Sequence, residues 1–244
     1  MRTLPAPTKR PPVADANALT SKILEEKPLR YIIQNLERTY GVPENNRPRD
    51  PLDMLIGVIL SQATSDVNSQ RTFDALKRRY PTWDQALAAR KSALATTIKS
   101  GGLSNQKAAV IKDLLRQIKE REGQLDLSFL HRLSTADAAR YLSQFRGIGP
   151  KTIACTLLFA CRQETFPLDT HIFRVLRRIG LIPQKCSDAR AHEIMNMMVP
   201  KGKHYSFHVN LIRHGRRLCH PRDPLCDRCP VVEYCDFGTM NAER

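Results

Sequence analysis

Cys219, Cys226, Cys229 and Cys235 fall within 17 residues in the pattern C-x6-C-x2-C-x5-C, which brings four thiolates within reach of one centre on a compact loop. The other three cysteines stand apart, at 155, 161 and 186. Disulfides of a secreted chain are usually spread more widely and paired evenly, so the clustering points to metal ligands in a reducing, intracellular compartment. Structural zinc and iron-sulfur are the two candidates; zinc folds more commonly use two Cys-x-x-Cys pairs, and one such pair occurs here. A second segment with chemical potential is Phe145-Arg146-Gly147-Ile148-Gly149-Pro150-Lys151-Thr152. Its glycines at 147 and 149 are expected to adopt positive φ and let the backbone approach a ligand closely. Pro150 suits the first turn of a helix whose unpaired amides would receive a phosphate. Asp169 lies 18 residues past Lys151, in the run Pro167-Leu168-Asp169-Thr170-His171 between two helical stretches. Alone, Lys151 reads as a surface cation and Asp169 as a helix N-cap; the interest lies in the pair.

The elements that must position these residues read as helices. Apolar residues recur at spacings of three and four through most of the chain and strand signals are nearly absent, so the expected class is all-α. Leu29, Ile32, Ile33, Leu36 and Tyr40 form one helical face after Pro28 and before Gly41. A helix from Asp50-Pro51 through Leu60 is apolar on nearly all sides, as expected of a central buried element. Further helices are expected over 67–80, 82–89, 92–99, 104–121 and 134–144, most of them behind a capping Ser, Thr or Asp. The Ile194, Met195, Met198 stripe reads as core. Residues 1–20, rich in Pro and Ala, read as a disordered basic tail.

Charge narrows the partner. Lys and Arg total 39 against 24 acidic residues, a net charge of +15, and a surplus this large in a globular chain faces a polyanion, with nucleic acid foremost. No apolar run reaches the roughly 18 residues that a membrane span requires.

Taken together, these segments resemble the endonuclease III family of helix-hairpin-helix DNA glycosylases. The resemblance runs in order through Leu60-Ser61-Gln62-Ala63-Thr64 with Asp66 and Asn68, Gly102-Leu103-Ser104-Asn105 with Lys107, the glycine hairpin with Lys151, Asp169-Thr170-His171, and the four cysteines. It implies that Lys151 attacks C1′ of a damaged nucleotide and forms a Schiff base that undergoes β-elimination, with Asp169 stabilising the charge that develops on the sugar. It also implies a [4Fe-4S] cluster on the four cysteines. Extrusion of the damaged nucleotide leaves a gap, for which the resemblance nominates Gln62 opposite the orphaned base and Leu103 as a wedge; without it, Gln62 reads as a polar helix end and Leu103 as a core leucine. Gly147, Gly149, Thr152, His171, Arg174 and Arg222 are the further expected DNA contacts.

The architecture implied is a six-helix barrel over 45–162 with the hairpin, and a discontinuous cluster domain over 21–44 and 163–244. Duplex DNA carrying damaged bases or abasic sites would lie across their cleft, bound by a monomer, intracellular and in a prokaryote nucleoid-associated. The substrates implied are oxidised or saturated pyrimidines. Related branches acting on adenine or thymine mismatches commonly replace the hairpin lysine, which Lys151 argues against; a DNA-binding homologue that does not cut is the other alternative. Three departures from the family pattern stand out: Phe145-Arg146-Gly147 replaces the more usual Leu-Pro-Gly, Pro150 stands where a basic residue is frequent, and the segment between Leu103 and Gly147 is longer than in compact members, around Gly123 to Leu133.

Overall fold

A computed structural model describes residues 13–46 and 49–242. The described chain is helical, with no strand among the described residues. It divides into two compact units, one of Met1–Pro43 with Leu168–Arg244 and the other of Glu44–Pro167.

The first unit opens with α1 (Val13–Glu26) and α2 (Leu29–Tyr40). The expected disordered tail is therefore corrected: its residues 1–12 lie outside the described residues, but helix begins at Val13, and Thr20 and Ile23 are buried. The physical reason is tertiary. A 14-residue helix is marginal alone, and α1 packs against the later α11, which contributes the burial that composition did not disclose. Helix α2 buries Leu29, Ile32, Ile33 and Leu36 and ends at Gly41 with φ 82.

The second unit holds α3 (Pro51–Ser61), α4 (Asp66–Arg79), α5 (Trp83–Ala88), α6 (Lys91–Thr97), α7 (Ser104–Glu122), α8 (Thr135–Leu142) and α9 (Pro150–Phe159). These seven α-helices stand where the individual helices were expected, one more than a six-helix barrel holds. The short pair α5 and α6 stays separate because Ala89 and Arg90 are extended, at ψ 150 and 141. The long connection between α7 and α8 also has structure: Ser128–Arg132 forms a 3-10 turn that buries Leu130, and the Gln163 amide donates to the carbonyls of Leu130 and Leu133, each at 3.0 Å.

Helix α3 is the hub of this unit. The Asp50 carboxylate caps it by accepting from Asp53 N at 2.7 Å, Pro51 occupies its first turn, and its leucines and isoleucines are buried on every side against α4, α7 and α9. Each such side chain contributes about 1.5–3 kcal/mol by leaving water.

The chain then re-enters the first unit with α10 (Thr170–Ile179), α11 (Asp188–Met198), α12 (His204–Arg217) and α13 (Asp236–Ala242). Helix α12 packs on both α10 and α2. Polar ties fix the α2 contact: Asn210 donates to Gly41 O at 2.9 Å, Arg213 to Tyr40 O at 2.8 Å, and Glu37 accepts from Lys203 and Ser206. Ile194, Met195 and Met198 are core, as the spacing predicts.

Because Leu55 is fully buried in the hub helix, Leu55→Ala should lower unfolding free energy by about 2–5 kcal/mol. Urea titration followed by circular dichroism would measure this, and a loss below about 1 kcal/mol would contradict the hub assignment.

Candidate functional site

The hairpin between α8 and α9 is built as a tight turn anchored from below. Phe145 and Ile148 are buried in the core of the second unit, and Ile148 N donates to Phe145 O at 3.2 Å, so the turn hangs from two apolar pegs. Gly147 takes φ 84, where a side chain is strained, and a Cβ there would also sit 3.3 Å from Val110. Gly149 differs from expectation. Its φ is −92, and a Cβ on it would meet nothing within 4 Å. Glycine at 149 serves neither a special dihedral nor internal packing; it leaves the outer surface of the turn bare, so a ligand can reach the backbone.

Gly149 is the N-cap of α9, Pro150 follows, and no side chain caps the helix start. Lys151 stands in that first turn, half-buried. Thr152 is only 4% exposed, so its hydroxyl does not face solvent. Asn45 closes the other end of α9 by donating to Leu158 O and Phe159 O, both at 3.1 Å.

Two further expected residues stand at tips of the same unit. Gln62 is exposed at the C-terminus of α3, and Ala63 after it adopts φ 52. Leu103 precedes α7 with φ 49 and ψ 33 and is 56% exposed, so the reading of Leu103 as core is excluded. A left-handed non-glycine residue costs about 1–2 kcal/mol, and an exposed leucine returns little of it by burial. Both tips are therefore held in place by their surroundings. Lys107, 3% exposed, donates from Nζ to Leu60 O at 2.7 Å and to Gly101 O at 2.8 Å, joining the segments that carry them. Burial pushes its amine below the usual lysine range. Sequence reading passed over this role, although Lys107 shares a helical face with the buried Ile111, Leu114 and Ile118.

In the first unit, Asp169 is the N-cap of α10, its Oδ1 accepting from Ile172 N at 2.7 Å. Capping and a chemical role do not compete, since the bond fixes the carboxylate's orientation while using one oxygen. Arg174 departs from its expected part as a DNA contact. Its guanidinium donates to Cys219 O at 3.0 Å and Gly215 O at 2.7 Å and lies 3.2 Å from His171 Nδ1, which makes it a strut between α10 and the cysteine loop. Arg178 braces the same loop through His220 O at 2.6 Å, Pro221 O at 3.0 Å and Cys219 Sγ at 3.3 Å. Arg222 is exposed on that loop, beside Asp223 at φ 48.

The four cysteines Cys219, Cys226, Cys229 and Cys235 line one small apolar cavity, together with Val175, Ile179 and His214, and none is in a disulfide. Among the described residues no three Cys, His, Asp or Glu donors are grouped as a single metal ion would need. Burial, reinforced by the neighbouring cysteines and opposed by the Val231 amide, pushes the Cys229 thiol up to about 11. Backbone amides of Phe237 and Gly238 bond to Cys235 and hold it down, although burial outweighs them.

Comparison with known proteins accords with this geometry. Residues 56–201 match the HhH-GPD superfamily of base excision DNA repair proteins, and the chain belongs to that superfamily, within its endonuclease III family. Endonuclease III of Rickettsia conorii is 31% identical over 78% of this chain and 85% of its own length. A protein of Arabidopsis thaliana that carries the provisional name of a DNA glycosylase is 33% identical over 76% of this chain and 67% of its own. Among solved structures, a non-covalent endonuclease III–DNA complex superposes with a TM-score of 0.76 at 23% identity, covering 89% of this chain and 98% of that one, so the fold is shared.

The two hairpin glycines should separate on substitution. Gly147→Ala, strained at φ 84 and crowded by Val110, should lose about 1–2 kcal/mol of stability. Gly149→Ala should stay within about 0.5 kcal/mol of the parent. Equal losses in urea titrations would contradict the distinction.

Proposed function

We propose that this chain is a bifunctional DNA glycosylase and abasic-site lyase that removes oxidised or saturated pyrimidines from duplex DNA. The observation that carries the reading is Lys151, set in the first turn of α9, which no side chain caps, directly behind the glycine turn, in a chain of the endonuclease III family. A monofunctional glycosylase needs no amine at that place.

In this reading the hairpin amides and the start of α9 hold a DNA phosphate, which places Lys151 beside the sugar. Its unprotonated Nζ attacks C1′, the C1′–N bond breaks, and the base leaves with a proton. The resulting amine adduct opens to a Schiff base. Loss of a C2′ proton then expels the 3′ phosphate by β-elimination, and water releases the lysine. Asp169 stabilises the positive charge on the sugar during base loss and assists the proton movements. Gln62 and Leu103 fill the space vacated by the extruded nucleotide.

The cysteine cavity fits a [4Fe-4S] cluster held by Cys219, Cys226, Cys229 and Cys235. Its donor set is all thiolate, and backbone amides bond to sulfur at Cys235. With all ligands from protein, the bound cluster would organise the loop that presents Arg222. The purified protein should contain iron and acid-labile sulfide in equal amounts and little zinc; zinc alone would contradict this assignment.

The activity is tested on a duplex bearing one thymine glycol. Strand cleavage without alkali should be seen for the parent, and Lys151→Ala should lose about 10³-fold or more. Asp169→Asn, whose amide oxygen can still accept from Ile172 N, should retain stability while losing about 10²–10⁴-fold in rate. Binding without cleavage by the parent, on this and on abasic duplexes, would favour a non-catalytic homologue.

A further inference from the structure

We propose that Lys107 is a positioning residue for damage recognition: its buried ammonium sets the spacing of the Gln62 and Leu103 tips. The inference rests on the reading of those tips as gap-filling elements. Its geometry is independent of that reading. A single Nζ donates to Leu60 O at 2.7 Å and Gly101 O at 2.8 Å, two residues before Gln62 and two residues before Leu103. Those carbonyls therefore lie no farther apart than two hydrogen bonds placed end to end.

The clasp is braced from a third side. Thr72 of α4 is fully buried, donates to Asn68 O at 2.7 Å and lies 3.2 Å from Ser100 Oγ. A Cβ on Gly101 would come within 2.9 Å of Thr72 Oγ1, so glycine at 101 lets the Leu103 segment lie flush on α4.

Desolvating a lysine disfavours its charge, and burial does push this amine below the usual lysine range. An apolar side chain at 107 would serve packing with Ile111 and Leu114 without that cost. What the ammonium adds is two directed hydrogen bonds to carbonyls on different elements. The chain uses that device next to two of its four positive-φ non-glycine residues among the described residues, Ala63 and Leu103. Strained tips keep their conformation only where the surroundings over-determine them. Lys107 supplies that determination, so it should matter to discrimination between damaged and intact DNA more than to DNA binding as such.

The test compares full-length holoprotein variants for equilibrium affinity, by fluorescence anisotropy, on two duplexes of one sequence: one intact, one carrying a tetrahydrofuran abasic analogue that cannot be cleaved. Lys107→Met keeps the buried stem and removes the donors. It should lower the ratio of abasic to intact affinity about tenfold while changing intact-duplex affinity by less than about twofold, and in a Leu103→Ala background the same change should lower the ratio by less than about twofold. Equal losses in both backgrounds, or an unchanged ratio, would overturn the inference. Should Lys107→Met fail to fold, Gly101→Ala shifts the same segment against Thr72 while leaving the lysine in place; a loss of ratio of about threefold is expected, and none would overturn the inference. If Leu103→Ala and Gln62→Ala leave the ratio unchanged, the gap-filling reading falls and this inference with it; if they lower it while Lys107→Met does not, only the role of Lys107 falls.

Discussion

The burial of α3 on every side is the constraint on which the hairpin unit depends. Its leucines and isoleucines contact α4, α7 and α9 at once, so each of those helices is set by the same apolar rod. The consequences are local and chemical. Helix α9 carries Lys151 in its first turn, the C-terminus of α3 carries Gln62, and α7 begins at Leu103. Close-packed interiors transmit small displacements instead of absorbing them. The buried core therefore acts as the fixture that holds these three groups in register, and the Lys107 clasp refines a geometry that the core has already set.

The cysteine unit solves a different problem. Between Cys219 and Cys235 several backbone carbonyls accept from amides of the same loop, whereas those where the chain enters it need other partners. Arg174 and Arg178 of α10 supply them, donating to the carbonyls of Gly215, Cys219, His220 and Pro221. Part of the basic surplus that first suggests nucleic acid is thus structural. The Cys226, Cys229 and Cys235 sulfurs are pushed toward the neutral thiol by burial first and by neighbouring cysteines second, which is the electrostatic condition a bound cationic cluster would reverse.

Legibility followed the kind of force involved. Apolar periodicity disclosed α2, α3 and α7 closely, and the cysteine spacing and glycine turn were visible because each is local in the chain. What escaped depended on partners distant in sequence. Helix α1 was hidden because its burial comes from α11, some 170 residues on. The bracing role of Arg174 was hidden because nothing near it in sequence reveals the Cys219 carbonyl 45 residues away. Gly149 was read as a dihedral requirement, whereas its role is the absence of a side chain on an outer surface. Lys107 was the subtlest, a charged residue on a buried stripe. Its position against Ile111, Leu114 and Ile118 was the available signal.

The central claim is that Lys151 is the residue that becomes covalently joined to the damaged sugar. Borohydride reduction during reaction with a damaged duplex, followed by proteolysis and mass spectrometry of the trapped adduct, reads this directly, because reduction fixes only a Schiff base. The account predicts a sugar remnant on the peptide that contains Lys151 and on no other. A remnant on a different lysine or on the N-terminal amine would contradict it.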